Sequence, residues 1–177
     1  MDQRLTGTLA ATAVGLFAGV PLAEIVTALG ELESGSRLRP RRSTSGALIL
    51  DDAYNAAPLS VKAALDVLSE LPGHKIAVLG DMLELGDEEE AGHREVGAFC
   101  MGRCDRLIAI GARARGIADG AWDAGHQQIQ WFEKREDASR VLRREIGADD
   151  VVLVKASYAM HLEEMVEALV SGEERSR

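Results

Sequence analysis

Only two cysteines occur among the 177 residues, and other features that identify particular protein classes are also scarce. Cys100 and Cys104 lie four residues apart without a second pair, whereas a zinc site usually takes four ligands at recognisable spacings. We therefore expect two free, buried thiols, as in a protein of the reducing cytoplasm. No apolar run reaches the ~18 residues of a membrane span. The first residues also lack the pattern of a signal peptide.

Basic charge and the common phosphate-binding motifs are lacking as well. The net charge is -9 and the pI is about 5.0, which argues against a nucleic-acid partner held by a broad phosphate-binding surface. The chain contains no G-x-x-x-x-G-K-[ST] segment, and no G-x-G-x-x-G follows its first strand. It therefore carries no P-loop, and a self-sufficient dinucleotide site is not expected.

The pattern divides the chain into two parts. Residues 5–33 have apolar residues at helical spacing, interrupted at Gly19-Val20-Pro21, and Pro21 suits the first turn of a second helix over Leu22–Leu32. This helix pair has no strands of its own, so its apolar faces need a partner. Small, polar and basic residues follow, and we expect Ser34–Arg42 to be a linker that acts as a hinge.

After the linker, apolar strand-like runs alternate with helix-like segments. The predicted strands are Ala47–Leu50, Lys75–Leu79, Arg106–Ile110, Ile129–Phe132 and Val151–Val154. The predicted helices are Leu59–Glu70, Glu88–Gly102, Arg113–Ala118, Ala138–Ile146 and Met160–Leu169. This alternation predicts an α/β fold, a Rossmann-like doubly wound domain with a mostly parallel sheet, over about residues 44–170.

Charged and polar residues follow three of these strands. Asp51 and Asp52 follow the first strand, Gly80–Gly86 follows the second, and Lys155–Tyr158 follows the fifth. Because parallel strands end on the same side of a sheet, we expect these groups at one edge, where α/β proteins bind charged ligands. The alternative is that the acids cap and solvate turns. His93, on the helix after the second strand, is expected to have a surface or packing role.

Four segments together resemble the Mur ligase family. They are Asp51–Pro58, Ala63–Leu68, Ile76–Gly86 and His93–Gly97. The specific signature is G-D-M-x-E-L-G followed by H-x-x-V-G. The resemblance covers nearly the whole chain but only the C-terminal part of such ligases. It implies that residues 1–36 are the last helices of the central ATPase domain plus a linker, and that residues 37–177 form the Rossmann-like C-terminal domain.

The resemblance also implies a reaction in peptidoglycan precursor synthesis. The chain most resembles those family members that add D-alanyl-D-alanine to UDP-N-acetylmuramoyl-tripeptide. They use ATP and Mg²⁺ and form an acyl phosphate as the intermediate. In the family, the P-loop and the metal ligands belong to the central domain. The implied partners are therefore the N-terminal and central domains of the same ligase. The chain alone is expected to be inactive and to contribute neither catalytic residues nor metal ligands.

By position in the motifs, the resemblance implies two sets of binding residues. The residues expected near the nucleotide are Arg37, Asp52, Tyr54 and Asn55. The residues expected to receive the dipeptide are Asp81, Glu84, Lys155 and Ser157.

The chain departs from the usual motifs at a few positions. Ala53 and Ala57 replace a Ser and an Asn, and Ala156 and Tyr158 replace the Gly and Arg of a K-G-S-R segment. Without that Arg, a fork that could hold a carboxylate is lost. Two alternatives therefore stay open: a non-catalytic binding or scaffold paralogue, and a receiver-like signalling domain. A receiver would need an aspartate at the end of the third strand, where Ile110 stands.

Overall fold

The computed structural model of the chain describes residues 12–25 and 38–172. The chain divides into two compact units, residues 1–35 and residues 36–177. In the first unit, residues 12–17 and 22–25 are helical, and the carbonyl of Pro21 accepts hydrogen bonds from the amides of Glu24 and Ile25. The predicted second helix beyond residue 25 lies outside the described residues. The assignment of the units to two domains of a longer enzyme stays a prediction.

In the described part of the second unit, six strands form one sheet with helices between them. The strands are β1 (Arg39–Arg42), β2 (Leu48–Asp52), β3 (His74–Gly80), β4 (Arg106–Ile110), β5 (Ile129–Phe132) and β6 (Asp150–Lys155). The helices are α1 (Pro58–Glu70), α2 (Glu89–Phe99), α3 (Arg115–Asp123), α4 (Arg135–Glu145) and α5 (Leu162–Ser171). Short 3₁₀ turns lie at Gly86–Glu88 and Tyr158–Met160.

The sheet is mostly parallel, with strand order β1-β2-β6-β3-β4-β5. β1 pairs antiparallel with β2, and the other neighbouring pairs are parallel. The central strands β3 and β6 are buried along most of their length, because helices cover both faces of the sheet. The predicted fold class is therefore confirmed.

Alternate residues of each strand enter two separate cores. Leu65 of α1, Val96 of α2 and Ile117 of α3 pack on one face of the sheet. Leu142 of α4 and Val166 of α5 pack on the other face. This arrangement follows from the period of two along a strand, which sends consecutive side chains to opposite faces. Because β2, β6 and β3 are parallel neighbours, their carboxyl ends lie together at one edge of the sheet.

The linker prediction was wrong for Arg39–Arg42, which form the edge strand β1. Its backbone pairs with β2, and the guanidinium of Arg41 forms an ion pair with Glu167 on α5 and lies 4.0 Å from Asp51. A short strand rich in charge is common at a sheet edge, where it discourages pairing with other chains. A hinge at Ser34–Arg42 cannot use the residues of β1. The rest of that segment, apart from Leu38, lies outside the described residues.

Several predicted boundaries also move. Asp51 and Asp52 belong to β2 itself, and Lys155 is the last residue of β6, so these residues continue the ladder instead of following it. α3 runs over Arg115–Asp123, later than the predicted segment, because Gly111 to Ala114 form the turn that enters it.

The expected thiols are confirmed: Cys100 and Cys104 are free and buried. Within the described ranges, no helix has both the length and the apolar character to cross a membrane.

Candidate functional site

The site lies at the carboxyl ends of β2, β6 and β3, which are neighbours in the sheet. Asp52 is the register partner of Lys155, and Lys155 is also the partner of Leu79, two residues before Asp81. The loop after β6 reaches the loop after β3, since the amide of Ser157 donates to the carbonyl of Asp81 at 3.0 Å. The fold therefore brings the three charged segments together, as the sequence predicts.

Asp52 and Lys155 form a buried ion pair. The Nζ of Lys155 lies 2.6 Å from Oδ2 of Asp52 and donates to the carbonyl of Asn55 at 2.7 Å. Asp52 is 3 % exposed and Lys155 is 2 % exposed. The other carboxylate oxygen of Asp52, Oδ1, is buried without a hydrogen-bond partner within the described part of the chain. A buried oxygen of this kind is an acceptor that a ligand hydroxyl or a water can satisfy.

Asp51 lies next to Asp52 but belongs to a different environment. Consecutive residues of a strand face opposite sides of the sheet, and Asp51 faces Arg41 and Glu167 instead of Lys155. Burial raises the pKa of Asp51 above its ordinary value, while the amide of Ala53 and nearby arginines partly offset this effect. The hydrogen bond from the amide of Ala53 to Asp51, at 3.3 Å, is the turn interaction that the alternative predicted. That alternative therefore describes Asp51 and not Asp52.

Asp81 is buried and holds the entrance of α3. Its Oδ1 accepts from the amide of Ala114 at 2.7 Å, and Oδ2 lies 3.9 Å from Arg113. Gly111, with φ +111°, lets the chain pass close to this carboxylate, since a Cβ there would lie 2.3 Å from Oδ1. At 5 % exposure, Asp81 presents little of its charge to a ligand. Its observed contacts connect two loops of the rim.

His93 has the packing role that the sequence allowed, but the loop that it holds was not predicted from the sequence. It is 1 % exposed on α2, its Nε2 accepts from the amide of Met82 at 3.0 Å, and its Nδ1 donates to the carbonyl of Glu89 at 2.6 Å. These two bonds require the neutral ring with its proton on Nδ1. The sequence did contain a signal for this role, because the signature motif places His93 shortly after the loop at Met82.

The same loop is held from its other side by Ser157, whose hydroxyl accepts a hydrogen bond from the amide of Leu83 at 2.8 Å.

The exposed groups of the rim are Glu84, Tyr54, Asn55 and Tyr158. Glu84 is exposed on the loop after β3 and has φ 63°, a left-handed conformation that non-glycine residues seldom adopt. The rings of Tyr54 and Tyr158 lie 6.0 Å apart, and the ring of His161 lies 5.7 Å from that of Tyr158. These side chains are available to a ligand without any rearrangement of the core.

One predicted nucleotide contact cannot be placed. Arg37, expected near the nucleotide, lies outside the described residues. In the ranges 12–25 and 38–172, no group of three or more His, Cys, Asp or Glu side chains could hold a metal ion.

A family profile and curated relatives of known name place this chain in the same protein family. The sequence profile described as "Mur ligase, glutamate ligase domain" matches residues 36–158. The UDP-N-acetylmuramoyl-tripeptide–D-alanyl-D-alanine ligase of Bacillus subtilis is 36 % identical over 175 residues, which are 96 % of this chain and 38 % of that protein. The ligase of the same name from Escherichia coli is 35 % identical over 94 % of this chain and 37 % of that protein.

Solved structures agree with these relatives. A crystal structure of MurF from Acinetobacter baumannii matches with a TM-score of 0.81 at 29 % identity, over 96 % of this chain and 38 % of that chain. MurF ligase from Thermotoga maritima, crystallised in complex with ADP, matches with a TM-score of 0.70 at 28 % identity, over 89 % of this chain and 35 % of that chain. This chain thus spans less than two fifths of the length of these curated relatives and solved chains. The matched profile, the shared identity and the shared fold show that the chain belongs to the Mur ligase family.

Proposed function

We propose that this chain is the C-terminal domain of an ATP-dependent ligase that adds D-alanyl-D-alanine to UDP-N-acetylmuramoyl-tripeptide. The observation that carries the proposal is the identity of 36 % over nearly the whole chain to a ligase named for that reaction. The charged edge of the sheet supports it, since ligands of open α/β domains bind beyond the carboxyl ends of the strands. Peptidoglycan precursor synthesis in the cytoplasm is the corresponding process.

In this proposal, Asp52, Tyr54 and Asn55 form the nucleotide side of the rim, together with Arg37. The free Oδ1 of Asp52 is the acceptor for a ribose hydroxyl. Because Asp52 is buried, a hydroxyl reaches that oxygen only when neighbouring side chains move. Tyr54 and Asn55, which are exposed on the loop after β2, are the residues available for this movement.

The acceptor side of the rim is formed by the loops after β3 and β6. Glu84 is the exposed carboxylate that can meet the ammonium group of the incoming dipeptide before that group loses its proton. Asp81 and Ser157 act mainly by holding these loops, since each side chain accepts a hydrogen bond from a backbone amide. Tyr158 lies beside Tyr54 and therefore joins the acceptor side to the nucleotide side.

The chemistry that the family performs needs more than these residues. The tripeptide carboxylate attacks the γ-phosphorus of ATP and releases ADP, and the dipeptide amine then attacks the acyl carbon and releases phosphate. Mg²⁺ would neutralise charge in the first step. We assign its ligands and the P-loop to the part of such ligases that this chain does not span. Val14, Leu16 and Phe17, exposed apolar residues of the helices that we assign to the central domain, would then pack against the remainder of that domain.

The experiment compares this chain with the complete ligase that contains it. ADP and the UDP-linked pentapeptide are measured with ATP, Mg²⁺, UDP-N-acetylmuramoyl-tripeptide and D-alanyl-D-alanine. We expect turnover by the complete protein and none by the 177-residue chain. The proposal fails if the complete protein does not join the two substrates. Turnover by the purified chain, repeated with a preparation from cells lacking the plasmid as control, would contradict the assignment of the phosphate chemistry to another domain.

A further inference from the structure

Lys155 has an unusual position for a residue expected to bind a ligand. It ends the central strand β6, between β2 and β3, and is among the largest fully buried side chains of the described residues. Its ammonium group contacts Oδ2 of Asp52 and the carbonyl of Asn55. A carboxylate from an incoming dipeptide would have to displace these bonds inside the protein. The geometry is that of an internal connection.

We propose that Lys155 is a positioning residue for the nucleotide-side segment Asp52–Asn55 and is not the cation that receives the carboxylate of the acceptor. The identities of the two ligands rest on the proposed function, whereas the contacts of Lys155 do not. This replaces the sequence-based prediction that Lys155 binds the dipeptide. In the complete enzyme, the acceptor carboxylate is then bound by groups other than Lys155.

The reason lies in the cost of burying charge. A carboxylate that is 3 % exposed needs a paired cation and further hydrogen bonds to remain ionised. Lys155 supplies the cation to Asp52, and its bond to Asn55 adds a connection three residues further along the chain. The segment between these contacts carries the exposed Tyr54. Through these contacts, the rigid strand β6 fixes the position of Oδ1 of Asp52, the oxygen proposed to bind the ribose hydroxyl, and of the neighbouring Tyr54.

The first test uses this chain and needs no ligand. Urea unfolding is measured for Lys155→Met, for Asp52→Asn and for the double variant. We expect Lys155→Met to raise the unfolding equilibrium constant by roughly two to three orders of magnitude, because it leaves a buried charge unpaired. The double variant should have an unfolding equilibrium constant at least about tenfold lower than that of Lys155→Met, since both charges are then removed.

The exposed pair Lys62–Glu95 provides the matched control. Its glutamate is 61 % exposed, so Lys62→Met should change the unfolding constant by less than about tenfold. If Lys155→Met is no more destabilising than Lys62→Met, or if the losses at Asp52 and Lys155 simply add, the buried pair does not exist as described and the proposal is wrong.

The second test uses the complete ligase and separates positioning from ligand binding. We expect Lys155→Met to raise the KM for ATP about tenfold or more and to leave the KM for D-alanyl-D-alanine within about twofold. Lys155→Gln keeps N–H donors for Asp52 and Asn55 but has no charge, so it should restore part of the ATP affinity. If Lys155→Met does not fold, the double variant Asp52→Asn with Lys155→Met supplies the dipeptide KM.

A rise of about tenfold or more in the KM for D-alanyl-D-alanine, in any folded Lys155 variant, would overturn the proposal whatever happens to ATP. An unchanged KM for ATP in Lys155→Met would overturn it as well. If the unaltered complete protein does not use the dipeptide, the proposed function fails. In that case the unfolding cycle still decides whether Lys155 holds the Asp52–Asn55 segment.

Discussion

Substitution of Gly111 by alanine tests how tightly the loops of the rim are connected. Gly111 has φ +111°, and a Cβ at this position would lie 2.3 Å from Oδ1 and 2.6 Å from Cγ of Asp81. The backbone conformation alone costs a side chain about 1–2 kcal/mol. The carboxylate must also move away and lose its bond to the amide of Ala114, which is worth about 1.5–3 kcal/mol for a charged group. We expect Gly111→Ala to lower the free energy of unfolding by about 2.5–5 kcal/mol.

The control is Gly125→Ala. Gly125 has φ +92°, but no atom of the described residues lies within 4 Å of the position that a methyl group would take, so only the backbone cost of about 1–2 kcal/mol applies. Unfolding in urea is followed by circular dichroism. Asp81→Ala combined with Gly111→Ala removes the clash, and this double variant should cost less than the sum of the two single changes. Equal losses for the two glycine variants, together with additivity at Asp81, would refute the reasoning.

Three further predictions concern single groups. His93→Phe should lower the unfolding free energy by about 1–3 kcal/mol, because the amide of Met82 loses its acceptor, and His93→Gln should cost less in the same urea titration. Burial raises the pKa of Asp51, so the folded state binds that proton more tightly, and stability falls as pH rises from the ordinary value near 3.8 through the raised value. Asp51→Asn should flatten this part of the stability profile, and an unchanged slope would contradict it. The hydrogen bond with Cys104 and burial raise the pKa of Cys100 well above its ordinary value. Because both thiols are also buried, iodoacetamide should label them only after unfolding, as read by mass spectrometry.

The strands of the sheet interior could be predicted because they are short apolar runs separated by helical segments. β1 could not, because Arg39–Arg42 contains three arginines and a proline, and its pairing depends on β2 and on Glu167 far along the chain. Local composition favoured a linker there. The edge strand exists because β2 offers an unpaired side, which is a property of the folded sheet and not of the segment.

The residues of the rim could be predicted as a group, but their individual roles could not. Parallel strands bring Asp52, Asp81 and Lys155 to one edge whatever their order. That Asp52 and Lys155 pair directly depends on β6 lying next to β2, an order that spacing along the chain does not reveal. The role of His93 depends in the same way on α2 packing under the loop at Met82.

The central claim is that Asp52, at the end of β2, belongs to the nucleotide site of a ligase. The most direct measurement is the KM for ATP of the complete enzyme carrying Asp52→Asn, compared with Asp51→Asn, after both variants are shown to fold. Loss of a charge-assisted hydrogen bond of about 1.5–3 kcal/mol predicts a rise of about tenfold to more than a hundredfold for Asp52→Asn. Asp51→Asn should have a smaller effect, because its carboxylate faces Arg41 on the opposite side of the sheet. An unchanged KM for ATP in Asp52→Asn would contradict the account.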